Sequence, residues 1–457
     1  TENQVLFQVP FGAGNSRLLY TRRIGGPGDD GSGAGDVAAA VKLNGSLGQV
    51  NYGVLAASES GDAGRDFYAL RATRESDVHD FGGMLTHVDR PFLDRQATVL
   101  SFDHRYTPDA RWDVRTQWVG SGIEQSGRSI RDNGFQFRID HDLGQSGGWR
   151  QQLWGLHSGK DLQLNDIGYL DRNNFNYLRY EINRRIGSYP ETSRYAGSFW
   201  RYAASIRYND RGQHLWDAVA VNRQSETRNG GNEFWEIAMF GAGHDDLILR
   251  GNGVVKVPEK IISHYEGFWP RRGYWSFYVE SRIAAEGLEG AKGMGATFYL
   301  EPQYHFSDRM NLAVGVGMQK VPDWLLWQGG NQLGSFDSEM LELKAAFNWI
   351  IGSRQELRVK LQAIGLDAEM KQAWRVAANG TPVRSSDVLA DFSLRNLGFQ
   401  VRYRYELAPL SDLYLVYARG GAMQDDYARG ASTQLRDSFD LRDDEQLLVK
   451  LSYRFEI

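Results

Sequence analysis

The chain ends Leu447-Leu448-Val449-Lys450-Leu451-Ser452-Tyr453-Arg454-Phe455-Glu456-Ile457, and this stretch decides the fold class. Leu447, Val449, Leu451, Tyr453, Phe455 and Ile457 occupy every second place, and Lys450, Ser452, Arg454 and Glu456 fall between them. Successive side chains of a strand point to opposite faces, so one face is apolar and the other charged. A soluble sandwich contains such strands too, and repetition separates the cases. Leu397 to Leu407 alternates apolar residues with Gln400, Arg402, Arg404 and Glu406. Leu341–Ile351 does so with Glu342, Lys344 and Asn348, and Leu357–Ala363 with Arg358, Lys360 and Gln362. Ala296–Phe306 and Trp200–Tyr208, the latter carrying Arg201 and Arg207, follow the same rule. Runs of roughly ten residues are what a tilted strand needs to cross a bilayer.

The connections alternate as well. Ser307–Arg309, Gly352–Arg354 and Ala408–Asp412 are short, whereas Val321–Asp337, Asp367–Leu394 and Arg419–Asp444 read as long loops. Short turns on one rim and long loops on the other are the asymmetry of outer-membrane barrels. The expected fold is therefore all-β: a single large antiparallel transmembrane β-barrel of about 22 strands, within bounds of roughly 18 to 22. An even count would put both termini in the periplasm. Residues 1–16 read as an N-terminal periplasmic segment and 17–457 as the barrel. Strands of the first half, near Val37–Asn44, Val50–Ser58, Phe67–Thr73, Thr98–Tyr106, Trp112–Val119, Phe135–His141 and Gln151–His157, are shorter and more interrupted. Gly25–Gly35 reads as a loop. No fixed-period repeat supports a propeller or solenoid, and no internal boundary or linker stands out.

Composition agrees. The 457 residues hold 13 Trp, 22 Tyr, 22 Phe and 52 Gly but only 11 Pro. Mean hydropathy is −0.49, yet strands that are apolar on one face hide from such averages. No apolar run is long enough for a transmembrane helix. Net charge is −5 and the pI is near 6.0, which gives no basic surface for nucleic acid. With no cysteine, disulfides, thiol nucleophiles and thiolate metal sites are excluded. The residues after Thr1 lack a basic and an apolar region, so a signal peptide is not visible; either it was removed or a longer protein precedes Thr1.

Two further stretches carry a family resemblance. Near the start stands Leu18-Leu19-Tyr20-Thr21-Arg22-Arg23-Ile24-Gly25, and in the middle Leu164-Asn165-Asp166-Ile167-Gly168-Tyr169-Leu170-Asp171-Arg172-Asn173-Asn174. With the C-terminal strand, they resemble the outer-membrane β-barrels of unknown function that follow a periplasmic domain similar to family-nine carbohydrate-binding modules. The resemblance runs from about Leu18 to the C-terminus. It implies a carbohydrate-binding-like domain upstream of Thr1 and transfers no catalytic residue. Ile457 departs from the terminal Phe of many outer-membrane proteins; Phe455 shares its face.

Candidate chemistry is sparse. His157 and Ser158 are adjacent, so in a strand they face opposite ways and cannot form a nucleophile–base dyad. His244-Asp245-Asp246 lacks a partner at ligand spacing, and a solvated polar loop is the simpler reading. Asp29-Asp30, Asp425-Asp426 and Asp443-Asp444-Glu445 suit calcium or a hydrated charged rim, the rim being favoured. Neither an enzyme, a metal site nor a cofactor is expected. Arg201, Arg207, Arg358, Lys360, Arg402, Arg404, Lys450 and Arg454 are the expected lumen-lining residues. They either bias a pore toward anions or pair with Glu342, Glu406 and Glu456 into a stiffening lattice. Arg22, Arg23, Asn165, Asp166, Arg172 and Asn173 are the motif residues of the loops; Asn165, Asp166, Arg172 and Asn173 either fold inward and narrow the pore or only order an external loop, constriction being slightly favoured. Trp324-Leu325-Leu326-Trp327 reads as an apolar patch in a long loop, packing in the mouth or meeting a partner.

The function this supports is a channel or transporter moving a small solute or saccharide through a charged lumen. The alternative is a structural or secretion barrel that anchors or encloses a partner protein, or its own upstream periplasmic domain. Expected contacts are outer-membrane lipid and lipopolysaccharide, with a periplasmic or lumenal protein partner and no nucleic acid. Residues 1–16 are too short for the plug of an energised importer.

Overall fold

The computed structural model describes residues 7–12, 14–31, 33–144 and 147–454. Phe455, Glu456 and Ile457 of the closing stretch, and the first six residues of the N-terminal segment, lie outside the described residues.

The fold is all-β. One sheet has 22 strands, and a separate two-stranded sheet pairs Gly243–Asp245 with Val255–Val257. Strand neighbours in sequence pair antiparallel throughout the registers seen, as in Val37–Leu47 with Val50–Glu59 and Phe392–Ala408 with Ser411–Asp425. The 22 include one four-residue strand, Pro382–Ser385, which folds back on Ala373–Val376. Among the described residues the first strand, Val37–Leu47, and the last, Asp444–Ser452, each pair along one edge only. Hydrogen-bonded closure of a barrel is thus not part of the described sheet, and both edge strands are largely exposed.

Three expected loops are corrected. Val321–Asp337 is the upper part of a hairpin, Met310–Gly329 with Gln332–Gly352, which turns at Gly330 with φ 49°. Asp367–Leu394 begins as a continuation of the strand Gln355–Val376. Arg419–Asp444 starts with strand up to Asp425 and then forms a short helix, Ala431–Ser438. The physical reason is common to all three. Alternation of apolar and polar residues fades in these segments while interstrand hydrogen bonds continue, so the sequence pattern ends before the strand does. An eight-residue helix is also too short to show a helical period. The sorting of connections stands: 159–174, 241–259, 286–293, 377–391 and 426–443 fall on one set of alternate connections. The other set includes tight turns at 48–49, 273–274, 308–309, 353–354 and 409–410.

The chain divides into two compact units. One holds the chain up to Arg184 with Ala203–Asp217; the other holds Arg185–Tyr202 with Ala218 onward. The division passes through the strand Tyr195–Tyr208, which is why no linker marks it in the sequence.

In the first unit strand register builds a continuous apolar row. Leu43 lies opposite Val54, Val54 opposite Leu70, Leu70 opposite Leu85 and Leu85 opposite Leu100. All five are exposed, at 56%, 38%, 47%, 40% and 37%. The opposite face is covered. There Phe67, Ala69, Met84, Val88, Val99 and Val119 are buried together with Phe7, Phe11, Leu18, Leu162, Leu164 and Ile167. In the second unit Val279, Leu300, Val316 and Leu343 form a similar row. The helix Ala431–Ser438 packs there on Gly365, where an added Cβ would stand 2.2 Å from the Leu435 nitrogen.

Candidate functional site

The two motif stretches, distant in sequence, meet on the covered face of the first unit. Arg17 donates its backbone N–H to the Tyr169 carbonyl at 2.7 Å, and Tyr169 donates back at 2.8 Å. Tyr20 N–H donates to the Ile167 carbonyl at 2.7 Å. Gly168 sits in this seam. A Cβ there would lie 2.7 Å from the carbonyl oxygens of Arg17 and Leu164 and 2.8 Å from that of Leu18. All three are backbone atoms with no freedom to rotate away, so only glycine fits. Gly168→Ala is expected to cost about 1–3 kcal/mol of local docking. Trypsin should then cut at Arg17, Arg22 or Arg23 faster than in the wild type, while the sheet stays intact; unchanged cleavage would mean the seam absorbs the methyl group.

Below the seam, Phe11 is fully buried and lies against Gly134, where a Cβ would stand 2.4 Å from its ring. Gly12 N–H donates to Gln136 Oε1 at 3.1 Å. Residues 7–12 and 14–24 thus run along the sheet. Apolar side chains under them remove surface from water at about 25 cal/mol per Å².

An ion-pair chain fastens this cover to the wall. Asp166 accepts from Arg95 at 2.8 Å and from Arg90 at 2.9 Å. Arg90 also holds Asp29 at 2.5 Å, and Arg65 bridges Asp29 and Glu59 at 3.7 and 2.6 Å. Gly25 N–H donates to Glu59 Oε1 at 2.7 Å. Three arginines face three carboxylates, so the buried charge is balanced. Burial pushes the Asp166 carboxyl up, but hydrogen bonds from Arg95 and Arg90 outweigh it and hold the group below the ordinary carboxylate value. Asp29, read from sequence as part of a hydrated rim, is instead an interior link whose side chain is 2% exposed.

The remaining motif residues order the loop. Asn165 Oδ1 accepts from Leu170 N–H at 2.7 Å, and Asn173 Nδ2 donates to the Leu162 carbonyl at 3.3 Å. Arg172 lies over the Phe175 ring at 4.6 Å. Arg23 Nε donates to the Gly168 carbonyl at 3.4 Å, while Arg22 is exposed.

Beside the cover, the same face of the first unit holds a cavity of about 1290 Å³. Lining it, Arg71 pairs with Asp103 and Arg179 with Glu181, while Arg105 and Arg115 are held by Asp113 and Arg138 by Asp140. Gln117, Gln136 and Gln152 supply amides, and Trp154, opposite Arg138 in register, supplies a ring. Sequence reasoning missed these residues. The signal was present as opposite charges two apart, as in Asp113/Arg115, Arg138/Asp140 and Arg179/Glu181, since residues two apart in a strand share a face.

The expected lumen residues fall as follows. In the second unit Arg358 lies opposite Arg402 in register, and Glu356 opposite Arg404. Arg358 pairs with Glu356 at 2.5 Å and Arg404 with Asp412 at 2.9 Å. Arg402 sits over the Tyr414 ring at 5.1 Å. Lys450 lies opposite Tyr414, and the Arg454 backbone N–H donates to Ser411 Oγ at 3.0 Å. Arg201 also belongs to the second unit. In the first unit Arg207 stacks between Tyr177 and Trp216 at 5.1 Å from each. Two of the cations, Arg358 and Arg404, therefore hold carboxylates and two, Arg207 and Arg402, hold rings.

The other candidates are structural. His157 Nδ1 meets Asn176 Oδ1 at 2.7 Å, and Ser158 Oγ donates to the Arg172 carbonyl. Asp245 caps the N–H groups of Leu247 and Ile248, both at 2.9 Å. Asp425 binds Arg395 at 2.7 Å and Gln434 at 2.9 Å. Trp324 packs on Phe392, and Trp327 joins Leu249, Leu333 and Trp374.

Comparison with known proteins adds the following. No curated protein matches the chain. Among solved structures it is similar to the unliganded ferric citrate transporter FecA, with 9% identity, 83% of this chain and 70% of that chain covered, and a TM-score of 0.36. It is similar also to the siderophore receptor PirA from Pseudomonas aeruginosa, with 10% identity, coverages of 79% and 76%, and a TM-score of 0.40. For PirA from Acinetobacter baumannii the figures are 8%, 92%, 73% and 0.41. The cargoes named for those proteins do not carry over at such identities. The model of a family described as a domain of unknown function, DUF5916, matches residues 86–456, and the chain belongs to that family.

Proposed function

We propose that this chain is the wall of an outer-membrane transport barrel that passes a small hydrophilic solute along its polar face. The observation that carries the reading is the row Leu43, Val54, Leu70, Leu85 and Leu100, in register across five strands and exposed. Five adjacent aliphatic side chains are an unusual surface in water and an ordinary one against acyl chains. In this reading lipid and lipopolysaccharide meet that face, while the opposite face with its charge ladder lines the path. The cover formed by residues 7–12, 14–24 and 159–174 narrows the path.

The finer reading is a saccharide. Its support is the set of amides and paired charges beside Trp154, a surface suited to hydroxyl-rich solutes, together with the sequence resemblance. The alternative, a barrel that encloses a protein segment, is favoured by one observation: the chain's own residues 7–12 and 14–24 already pack on the polar face.

Planar-bilayer conductance of the folded protein tests transport. Stable steps are expected, with an anion preference from Lys360, Arg402 and Lys450. Among the described residues these three make no ion pair with a carboxylate, unlike Arg358 and Arg404. A neutral oligosaccharide such as maltohexaose should block the current transiently. Silence from a correctly folded, heat-modifiable protein would sink the transport reading and leave the enclosing barrel.

A further inference from the structure

The second unit carries a cluster that neither the motifs nor the transport reading uses. His264 and Glu266 stand two apart on the strand Lys260–Arg272, so they share a face. Glu280, on the strand Trp275–Ala285, lies directly opposite Glu266 in register. His264 Nε2 is 3.2 Å from Glu266 Oε1 and 3.5 Å from Glu280 Oε1. Donor atoms of all three residues lie within 4.8 Å of one another.

Three features distinguish this cluster from a solvated acidic patch. First, two carboxylates directly opposite on one face repel, and among the described residues neither makes an ion pair with an arginine or lysine. Arg282, opposite His264 in register, is held by Glu286 at 2.8 Å. Second, His264 Nε2 is shielded from solvent, and no hydrogen bond of acceptable geometry satisfies it. The ring is set edge-on against Phe234. Third, the spacing fits coordination. Two donors each about 2.0–2.1 Å from a tetrahedral zinc ion stand about 3.3–3.4 Å apart, which the two nitrogen–oxygen distances bracket.

We propose that His264, Glu266 and Glu280 form a binding site for a borderline divalent transition metal, of the Zn²⁺ and Co²⁺ class, on the polar face of the second unit. One imidazole nitrogen and two carboxylate oxygens select such ions over Ca²⁺, which takes more oxygen ligands and no nitrogen. Three protein ligands leave a coordination position open to water or to a passing anionic group. The site stands apart from the transport reading, because it requires only the local pairing of two strands. It goes beyond the sequence reading, in which no metal site is expected.

The test is titration of the folded, detergent-solubilised chain with Co²⁺, followed by visible absorption, and with Zn²⁺, followed by calorimetry. One equivalent of Co²⁺ should give d–d bands that Zn²⁺ abolishes and an equal concentration of Ca²⁺ leaves unchanged. His264→Ala and Glu280→Gln should each weaken Zn²⁺ binding by at least tenfold, and Glu301→Gln, which touches Tyr299 instead, should not. Glu280→Gln preserves side-chain shape and serves if His264→Ala does not fold. The proposal is overturned by absence of stoichiometric binding, by binding that persists in Glu280→Gln, or by displacement with Ca²⁺. Each of these can occur while the protein still conducts, so failure here is distinct from failure of the transport reading.

Discussion

Asp166→Ala is expected to raise the single-channel conductance of the reconstituted protein and to lengthen its open times. Asp166 is the point where the loop 159–174 is tied to Arg90 and Arg95, and its side chain is 5% exposed. Removing one member of a buried ion pair leaves the partners unsatisfied, at a cost of about 3–5 kcal/mol. Arg90 keeps Asp29 but Arg95 loses its only carboxylate among the described residues. That cost falls on the docking of the cover, not on the sheet, whose ladder does not involve this side chain. Protonation should act in the same direction. The Asp166 carboxyl is held below its ordinary value in the folded chain, so its stabilisation is complete above the unfolded pKa of about 3.9. It is lost as pH falls through the lower folded value. Conductance of the wild type should therefore rise toward that of Asp166→Ala only below about pH 4, and the variant should lack the transition. A variant that folds and conducts like the wild type would mean that the cover does not obstruct the path.

Leu85→Arg is expected to reduce the folded, membrane-inserted fraction sharply. Leu85 lies in register between Leu70 and Leu100 in the exposed apolar row. Arginine on the lipid face of a transmembrane barrel costs about 2–4 kcal/mol near the bilayer midplane, enough to shift a folding equilibrium by more than tenfold. The check is the heat-modifiable fraction on a gel after refolding into vesicles, with a urea midpoint for the part that folds. Leu85→Ala, which keeps the face apolar, is the control. If Leu85→Arg inserts as well as Leu85→Ala, this row does not face lipid and the membrane reading fails. The two experiments examine opposite faces of the same strands, so together they establish which face is wet.

Much of this was readable before any coordinates. Alternation over Leu397–Leu407 and Leu357–Ala363 specifies strand and face together, because a one-residue slip would reverse every side chain. The sorting of connections followed from where alternation stopped. The stops themselves were misplaced in Val321–Asp337, where apolar and polar residues fall on both faces although the hairpin continues. The motif Asn165 to Asn173 stood out in the sequence, and the structure sets it against Arg17 and Tyr20. Its partner was not legible, since nothing local in Leu18–Gly25 says that Arg17 will bond to Tyr169.

The sequence by itself determined the strands, their two faces and the all-β class, because these depend on a period of two and on turns that are local properties of the chain. Only the tertiary structure decided which distant groups meet. Asp166 with Arg90 and Arg95, Phe11 against Gly134, and His264 with Glu280 are brought together by strand register and by a loop folding back. Such pairings depend on the order in which strands align and on the room left above a glycine. Neither is written at any one position of the chain.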